Sequence, residues 1–297
     1  MPGPVPDAMA ADPRQVPGFG LPAAPRPLDR PERPRRRRIG PAGLGLLLPA
    51  LLLLAWELSV QAGWLSARLL PAPSEIAQTL ASFGARGLAA HVAASTARVA
   101  AGFAIGASLA VAIGAVVGLS RRGEALLDPS FQALRAIPSL AWVPLLLLWL
   151  GIDESPKVAL IAIGAFFPVY MGVSSGFRDV DRKLVEVARM YRLRGVALVR
   201  RVLLPAALPA VLTGLRNGLS LAWMFMVAAE LIATTDGLGY LLTDGRETGR
   251  ADIVLGAIVL LAILGKLTDT GMQRLERRWL AWRDSFGSAT GIAGGPP

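Results

Sequence analysis

Long apolar runs separated by short charged clusters limit what this chain can fold into more than any other feature of the sequence. The runs cover about residues 39–60, 92–119, 126–150, 158–177, 205–232 and 253–270. At about 1.5 Å of rise per residue, a helix of about 20 apolar residues crosses a hydrocarbon layer about 30 Å thick. The predicted class is therefore an all-α membrane protein with about six transmembrane helices. Composition agrees, since 53% of the 297 residues are hydrophobic, 18% are charged and the mean hydropathy is +0.50. That excludes an ordinary soluble domain of this length.

The formal charge of +10 then reads as topology rather than as a nucleic-acid footprint. Lys and Arg number eight in residues 1–38, two at 121–122, eight in 178–201 and four after Gln273. The alternate loops hold only Arg68, Arg86, Lys157, Arg246 and Arg250. Basic residues collect on the cytoplasmic side, so both termini and the 178–201 segment are expected there. Residues 1–38 are rich in Pro, Ala and Arg and end in Arg35-Arg36-Arg37-Arg38; they read as a disordered basic cytoplasmic tail. Residues 273–297 read as a cytoplasmic C-terminal tail. The first run follows basic residues and precedes Val60-Gln61-Ala62, as in a cleavable signal. It exceeds the usual 7–15 apolar residues or so of such a signal, and more spans follow, so it is read as retained.

Several chemistries are excluded or disfavoured. With no cysteine there is no disulfide or thiolate site, and a lone histidine, His91, cannot build a triad or a zinc site. His91 is read as solvated or at headgroup level. No Gly-x-x-x-x-Gly-Lys-Ser/Thr pattern occurs, so the chain itself should not bind or hydrolyse ATP. A membrane-embedded enzyme lacks its convergent groups, and an ion-driven secondary transporter lacks clear inverted repeats and paired intramembrane carboxylates.

Within the spans, Gly102-x-x-x-Gly106 and Gly114-x-x-x-Gly118 allow close helix packing, expected within one subunit. Pro129, Pro138 and Pro144 interrupt the third run, which is expected to bend and to lie inside the bundle.

The segment 178–204 is too long for a simple link between two spans. Leu184, Val185, Ala188 and Tyr191 recur at helical spacing beside Arg and Lys. By itself this fits either a helix resting on headgroups or a docking element for a partner. A second short helix is expected from Val196, ending at Pro205.

Glu186-Val187-Ala188, Gly195, Leu204-Pro205 and Leu208-Pro209 resemble the EAA loop of binding-protein-dependent ABC importer permeases. The family's glycine falls at Arg192 here, and Gly195 is taken to supply the helix break. Further segments are similar to the sulfonate, taurine and nitrate branch. They include Leu70-Pro71-Ala72-Pro73-Ser74-Glu75, Ile137-Pro138-Ser139-Leu140-Ala141-Trp142-Val143-Pro144 and Gly237-Leu238-Gly239-Tyr240. The run Leu264-Gly265-Lys266-Leu267-Thr268-Asp269 most resembles aliphatic sulfonate permeases.

The resemblance implies a type I importer permease fold in the bacterial inner membrane, working as a homodimer. It also implies two copies of an ATPase subunit, which bind ATP and Mg²⁺, and an extracytoplasmic substrate-binding protein. It assigns ATPase coupling to Glu186, Val187, Ala188, Arg189, Arg192, Leu193, Gly195 and Pro205. The substrate class it implies is a small organic anion, with taurine and nitrate as alternatives to a sulfonate.

Cations inside a bilayer are costly unless paired or hydrated, so Arg98, Arg135 and Arg216 are candidates for the translocation path. Asn217, Ser220, Pro138 and Trp142 join them by position. Lys266 and Asp269, three apart, are expected to pair with each other. Glu230, near the outer end of its span, is expected in an interfacial or partner-contact role, and the tryptophans as membrane anchors.

Overall fold

A computed structural model of the chain describes residues 41–232 and 234–282. The predicted tail at 1–38 and residues 283–297 lie outside them. The chain divides into two compact units at Pro49, within helix α1 (Pro41–Gln61). The first unit is described only over the helical residues 41–49, and every other helix belongs to the second.

Three long helices make the core: α3 (Gly84–Leu119), α6 (Glu154–Arg178) and α9 (Leu204–Glu230). Glycine decides how close they come. The four glycines of the two Gly-x-x-x-Gly pairs all line the α3–α6 seam. A Cβ at Gly106 would stand 2.3 Å from the Ala162 carbonyl oxygen, and one at Gly118 would stand 2.8 Å from Phe177 Cβ. Gly102 meets Ile161 and Gly118 meets Phe177, so the two helices run parallel. On the other side of α6, a Cβ at Gly172 would lie 2.7 Å from Gly214 Cα of α9, which runs antiparallel. Lipid tails are as apolar as leucine, so helices in a bilayer gain from backbone proximity and dispersion rather than from hydrophobic burial. Two buried clusters each draw on all three helices, one with Val99, Ile161, Ala165 and Met226 and the other with Ala110, Val169, Tyr170 and Ala207.

The third apolar run is broken. Helix α4 (Arg121–Ala136) ends at Ile137, and a 3₁₀ turn (Ser139–Trp142) leads into α5 (Val143–Leu150) at 88°. Pro138 cannot donate a backbone hydrogen bond, and Ile137 before it is extended at φ −78°, ψ 123°. The break itself agrees with expectation, but its setting does not. No residue of α4 is buried, and only Leu146 of α5 is. The broken backbone opens on a cleft rather than on a packed interior, the other environment that tolerates freed polar groups at membrane depth.

Among the described residues, four helical stretches are long and apolar enough to span a bilayer, or five when the bent pair counts as one. The predicted first span contributes the shorter apolar stretch Leu47–Gln61 to the described residues. Two boundaries move. Helix α3 begins eight residues before the predicted 92, and α11 (Ala251–Trp279) continues past the predicted 270 without a break. The start of the expected C-terminal tail is therefore helical. Helix α2 (Pro73–Ser82) and helix α10 (Leu238–Glu247) pack on α11, with Leu238, Leu241, Ile253 and Ala257 as a small separate core.

Between α6 and α9 lie helix α7 (Arg182–Met190), the short α8 (Gly195–Leu198) and one π-helical turn (Val199–Leu203). The expected stop at Pro205 is absent, and α8 runs through the π turn into α9. The Leu204 N–H bonds to the Val199 carbonyl, one residue further back than in an α-helix. Widening the turn accommodates a proline that clashes with the fourth preceding carbonyl and lacks an N–H of its own.

Candidate functional site

Helix α7 starts where the Asp181 carboxylate accepts the Lys183 N–H at 2.8 Å, a side-chain cap. It ends in a turn closed by two backbone bonds, from Arg192 N–H to Arg189 O at 2.9 Å and from Leu193 N–H to Ala188 O at 3.0 Å. That is the Schellman pattern, which requires the residue after the cap to be left-handed. Arg192 holds this position at φ 59°, alone among the described non-glycine residues in having positive φ. The break assigned to Gly195 thus belongs to Arg192, the place where the family's glycine falls. Gly195, at φ 54°, opens the next helix instead.

The apolar stripe of α7 is divided. Ala188 is buried and Val185 half-buried against the body of the protein. Leu184, Val187, Met190 and Tyr191 are exposed, Met190 by 83%. Glu186, Arg189 and Arg192 are exposed, and Leu193 and Pro205 are half-buried.

At the opposite end of the bundle, Arg98 is 6% exposed and all five of its N–H donors are used. Nε and Nη2 bond bidentately to Glu154 at 2.6 and 2.8 Å. Nη1 reaches Glu230 Oε1 at 2.7 Å and the Asp236 carbonyl at 3.0 Å, and Nη2 also reaches Asp236 Oδ1 at 2.5 Å. Glu230, only 1% exposed, further accepts the Ser95 hydroxyl at 2.8 Å and the Gly239 N–H at 2.7 Å. Lys157 closes the group on Glu154 at 2.8 Å.

The glycines of Gly237-Leu238-Gly239-Tyr240 are required here. A Cβ on either would come within 2.6 Å of a Glu230 atom, and Gly237 has φ 111°. His91 joins by accepting the Gly237 N–H at 3.1 Å and stacking on Tyr240. The interfacial role expected for Glu230 is therefore replaced by a buried one, and Arg98 is occupied by carboxylates. Topology could have pointed to this, because the start of α6 and the end of α9 must lie at the same end as the first half of α3.

Arg216 is also paired, across to α11. Its Nε meets Asp269 Oδ1 at 2.5 Å and its Nη2 meets Oδ2 at 3.1 Å. The expected Lys266–Asp269 pair is not formed, because a guanidinium on the neighbouring helix offers that carboxylate a two-bond fork. Trp223 is buried and donates to Thr268 Oγ1 at 3.0 Å, so it ties α9 to α11 rather than anchoring in the interface.

A cleft of ≈ 730 Å³ opens between the α4 break, α6 and α9. Arg135, Ser139, Ser175, Thr213 and Asn217 are its polar lining. Of the remaining path candidates, Ser220 is exposed and donates to its own helix at the Arg216 carbonyl, 3.1 Å away. Pro138 caps the 3₁₀ turn, and Trp142 lines a separate apolar groove of ≈ 280 Å³ with Gly106 and Phe166.

A polytopic helical bundle with a broken span and an amphipathic excursion between its two core helices defines the permease class of membrane transport proteins. Residues 88–281 match the family described as binding-protein-dependent transport system inner membrane component, and the chain belongs to it. It is 43% identical over 256 residues to the putative aliphatic sulfonates transport permease protein SsuC of Bacillus subtilis, covering 86% of this chain and 92% of that one. Against the protein of the same description in Escherichia coli it is 45% identical, covering 80% and 91%. The taurine transport system permease protein TauC of E. coli is 34% identical, covering 78% and 87%. The fold is shared with an inward-facing MetNI methionine ABC transporter, at a TM-score of 0.55 and 22% identity over 62% of this chain and 92% of that one. The chain is thus the membrane permease component of an ATP-binding-cassette importer, and such a permease works with an ATPase and a substrate-binding protein.

Proposed function

We propose that this permease moves aliphatic sulfonates inward across a bacterial cytoplasmic membrane, as a pair of identical subunits served by two ATPase subunits. The observation that carries the substrate is the 43–45% identity to two sulfonate permeases over more than 90% of their length. In this reading both termini and α7 are cytoplasmic, α1 supplies a sixth span, and the Arg98 end faces the binding protein. ATP and Mg²⁺ sit in the ATPase.

The exposed face of Leu184, Val187, Met190 and Tyr191, flanked by Glu186 and Arg189, is the surface that docks in the ATPase. Closure of the ATPase on ATP biases the bundle between inward- and outward-open states, since a ligand shifts an equilibrium only through the state it binds better. The unbroken run from α8 through the π turn into α9 supports a stiff lever for that motion.

The test is ATP-dependent uptake of a labelled alkanesulfonate into proteoliposomes holding this chain, its ATPase and its binding protein. Glu186→Lys reverses the charge offered to a surface complementary to a carboxylate, setting cation against cation, and is expected to lower uptake at least about tenfold, as like-charge contacts at interfaces cost several kcal/mol. Normal uptake by that variant would remove Glu186 from the docking surface. Uptake of taurine but not of alkanesulfonates by the wild type would move the substrate to the TauC-like alternative.

A further inference from the structure

Three arginines lie within the apolar runs predicted to span the membrane, and they do not share one fate. Arg98 is saturated by Glu154, Glu230 and Asp236, and Arg216 is paired with Asp269. Arg135 alone of the three makes no salt bridge among the described residues. It stands two residues before the Ile137–Pro138 break, on the wall of the ≈ 730 Å³ cleft, and no acidic residue lines that cleft. Arg135 is exposed on that cleft, where water or a mobile anion completes a cation that no carboxylate pairs.

The rest of the lining states what kind of anion fits. Phe167, Met171, Leu221, Met224 and Phe225 form the apolar part of the wall, and Met side chains adapt to varied shapes. Ser139 stands beyond the break from Arg135, while Thr213 and Asn217 face the cleft from α9. Glycines 164, 172 and 214 keep the floor low between the two core helices.

Resting on the sulfonate reading above, we propose that Arg135 is the specificity-determining cation of the translocation path, holding the head group of an amphiphilic monoanion whose short alkyl tail lies along Phe167, Met171 and Met224. Arg98 and Arg216 position helices and do not touch the substrate. The guanidinium suits a sulfonate because its planar N–H fork matches two oxygens of a tetrahedral anion, whereas an ammonium offers only a point charge.

The absence of cysteine from the chain makes a direct test available. Arg135→Cys introduces the chain's only thiol. Its thiolate attacks a methanethiosulfonate reagent, forming a mixed disulfide and releasing methanesulfinate, so a cationic ethyltrimethylammonium or an anionic ethylsulfonate group can be placed at residue 135. The whole importer is reconstituted in vesicles, with the reagent-treated wild-type complex as control, and alkanesulfonate uptake is read.

Loss of a charge-assisted contact predicts a fall of about tenfold or more in Arg135→Cys. The cationic adduct should restore uptake several-fold but short of wild type, because it returns the charge without the N–H fork, and the anionic adduct should restore none. Unchanged uptake in Arg135→Cys would overturn the proposal, and so would a loss that neither adduct repairs, which marks a structural role. If the wild type moves another small anion but no alkanesulfonate, and the cationic adduct still rescues it, the sulfonate reading falls and Arg135 stands. A wild type that moves no anion removes both.

Discussion

The two ends of the bundle are held together by opposite means. At the Arg98 end, α3, α6 and the segment after α9 are joined by five charged side chains, with Ser95 and His91 clasping the Gly237–Tyr240 turn. At the other end, α7 touches the body through little more than Ala188 and Val185 and leaves four large side chains in solvent. Buried charge gives a contact that exists in one geometry or not at all, because a half-made network strands an ion in low dielectric. A small apolar contact can be made and remade at little cost. The difference separates an end fixed in one geometry from an end that its contacts hold only lightly.

Removing one member of the charged cluster is the most damaging way to break that comparison. Arg98→Gln leaves Glu230 ionised and buried, and breaking such a pair costs about 3–5 kcal/mol. The expected result is a large drop in the thermal midpoint of the detergent-solubilised protein. Arg98→Gln with Glu230→Gln should be less unstable than the sum of the single variants, since the second change removes the stranded charge. Additive losses would mean that the two groups stabilise the fold separately.

The seams between the ends test whether close packing, rather than charge, carries the middle of the bundle. Gly106→Val places a side chain against the Ala162 backbone, where even a Cβ would sit 2.3 Å from the carbonyl oxygen. Overpacking of this kind costs about 1–3 kcal/mol, so the midpoint should fall by less than in Arg98→Gln. The same substitution at Gly87, whose added Cβ would meet nothing within 4 Å, is the matched control. Equal losses at both positions would show that the cost does not come from the seam, since valine has the higher helix propensity at either position.

How much of the fold and site is legible in the sequence depends on the range of each interaction. The spans, the small-residue packing within one subunit and the break near Pro138 are local properties of composition and of proline chemistry. Pairings across helices are not. Spacing alone matches Lys266 to Asp269, three apart on one helix, but the carboxylate turns to Arg216 on α9, which one-dimensional spacing cannot see. Arg98 is visible as an intramembrane charge and Glu230 as a charge near its span's outer end, but their meeting, 132 residues apart in the chain, is hidden. Arg135 remains a candidate for the opposite reason, that nothing in the fold comes to neutralise it. Sequence reasoning misplaces the third run in the interior because a broken helix needs solvation, and a cleft supplies that as well as a core does.

The smallest expected effect is also the most diagnostic of the loose end. Arg192 sits at φ 59° in the turn that closes α7, a conformation that costs an L-residue roughly 1–2 kcal/mol relative to glycine. Part of the gain from Arg192→Gly is lost again to the freer unfolded chain, about 0.4–1 kcal/mol. Because α7 is attached so lightly, the gain should appear in local opening and not in the global midpoint. Amide exchange at Leu193, whose N–H closes on Ala188 at 3.0 Å, should slow by roughly fivefold, about 1 kcal/mol, while the thermal midpoint stays put. A midpoint that rises in step with the exchange protection would mean that α7 unfolds only with the whole bundle. The contrast between a locked end and an exchangeable one would then be a difference of contacts without a difference of dynamics.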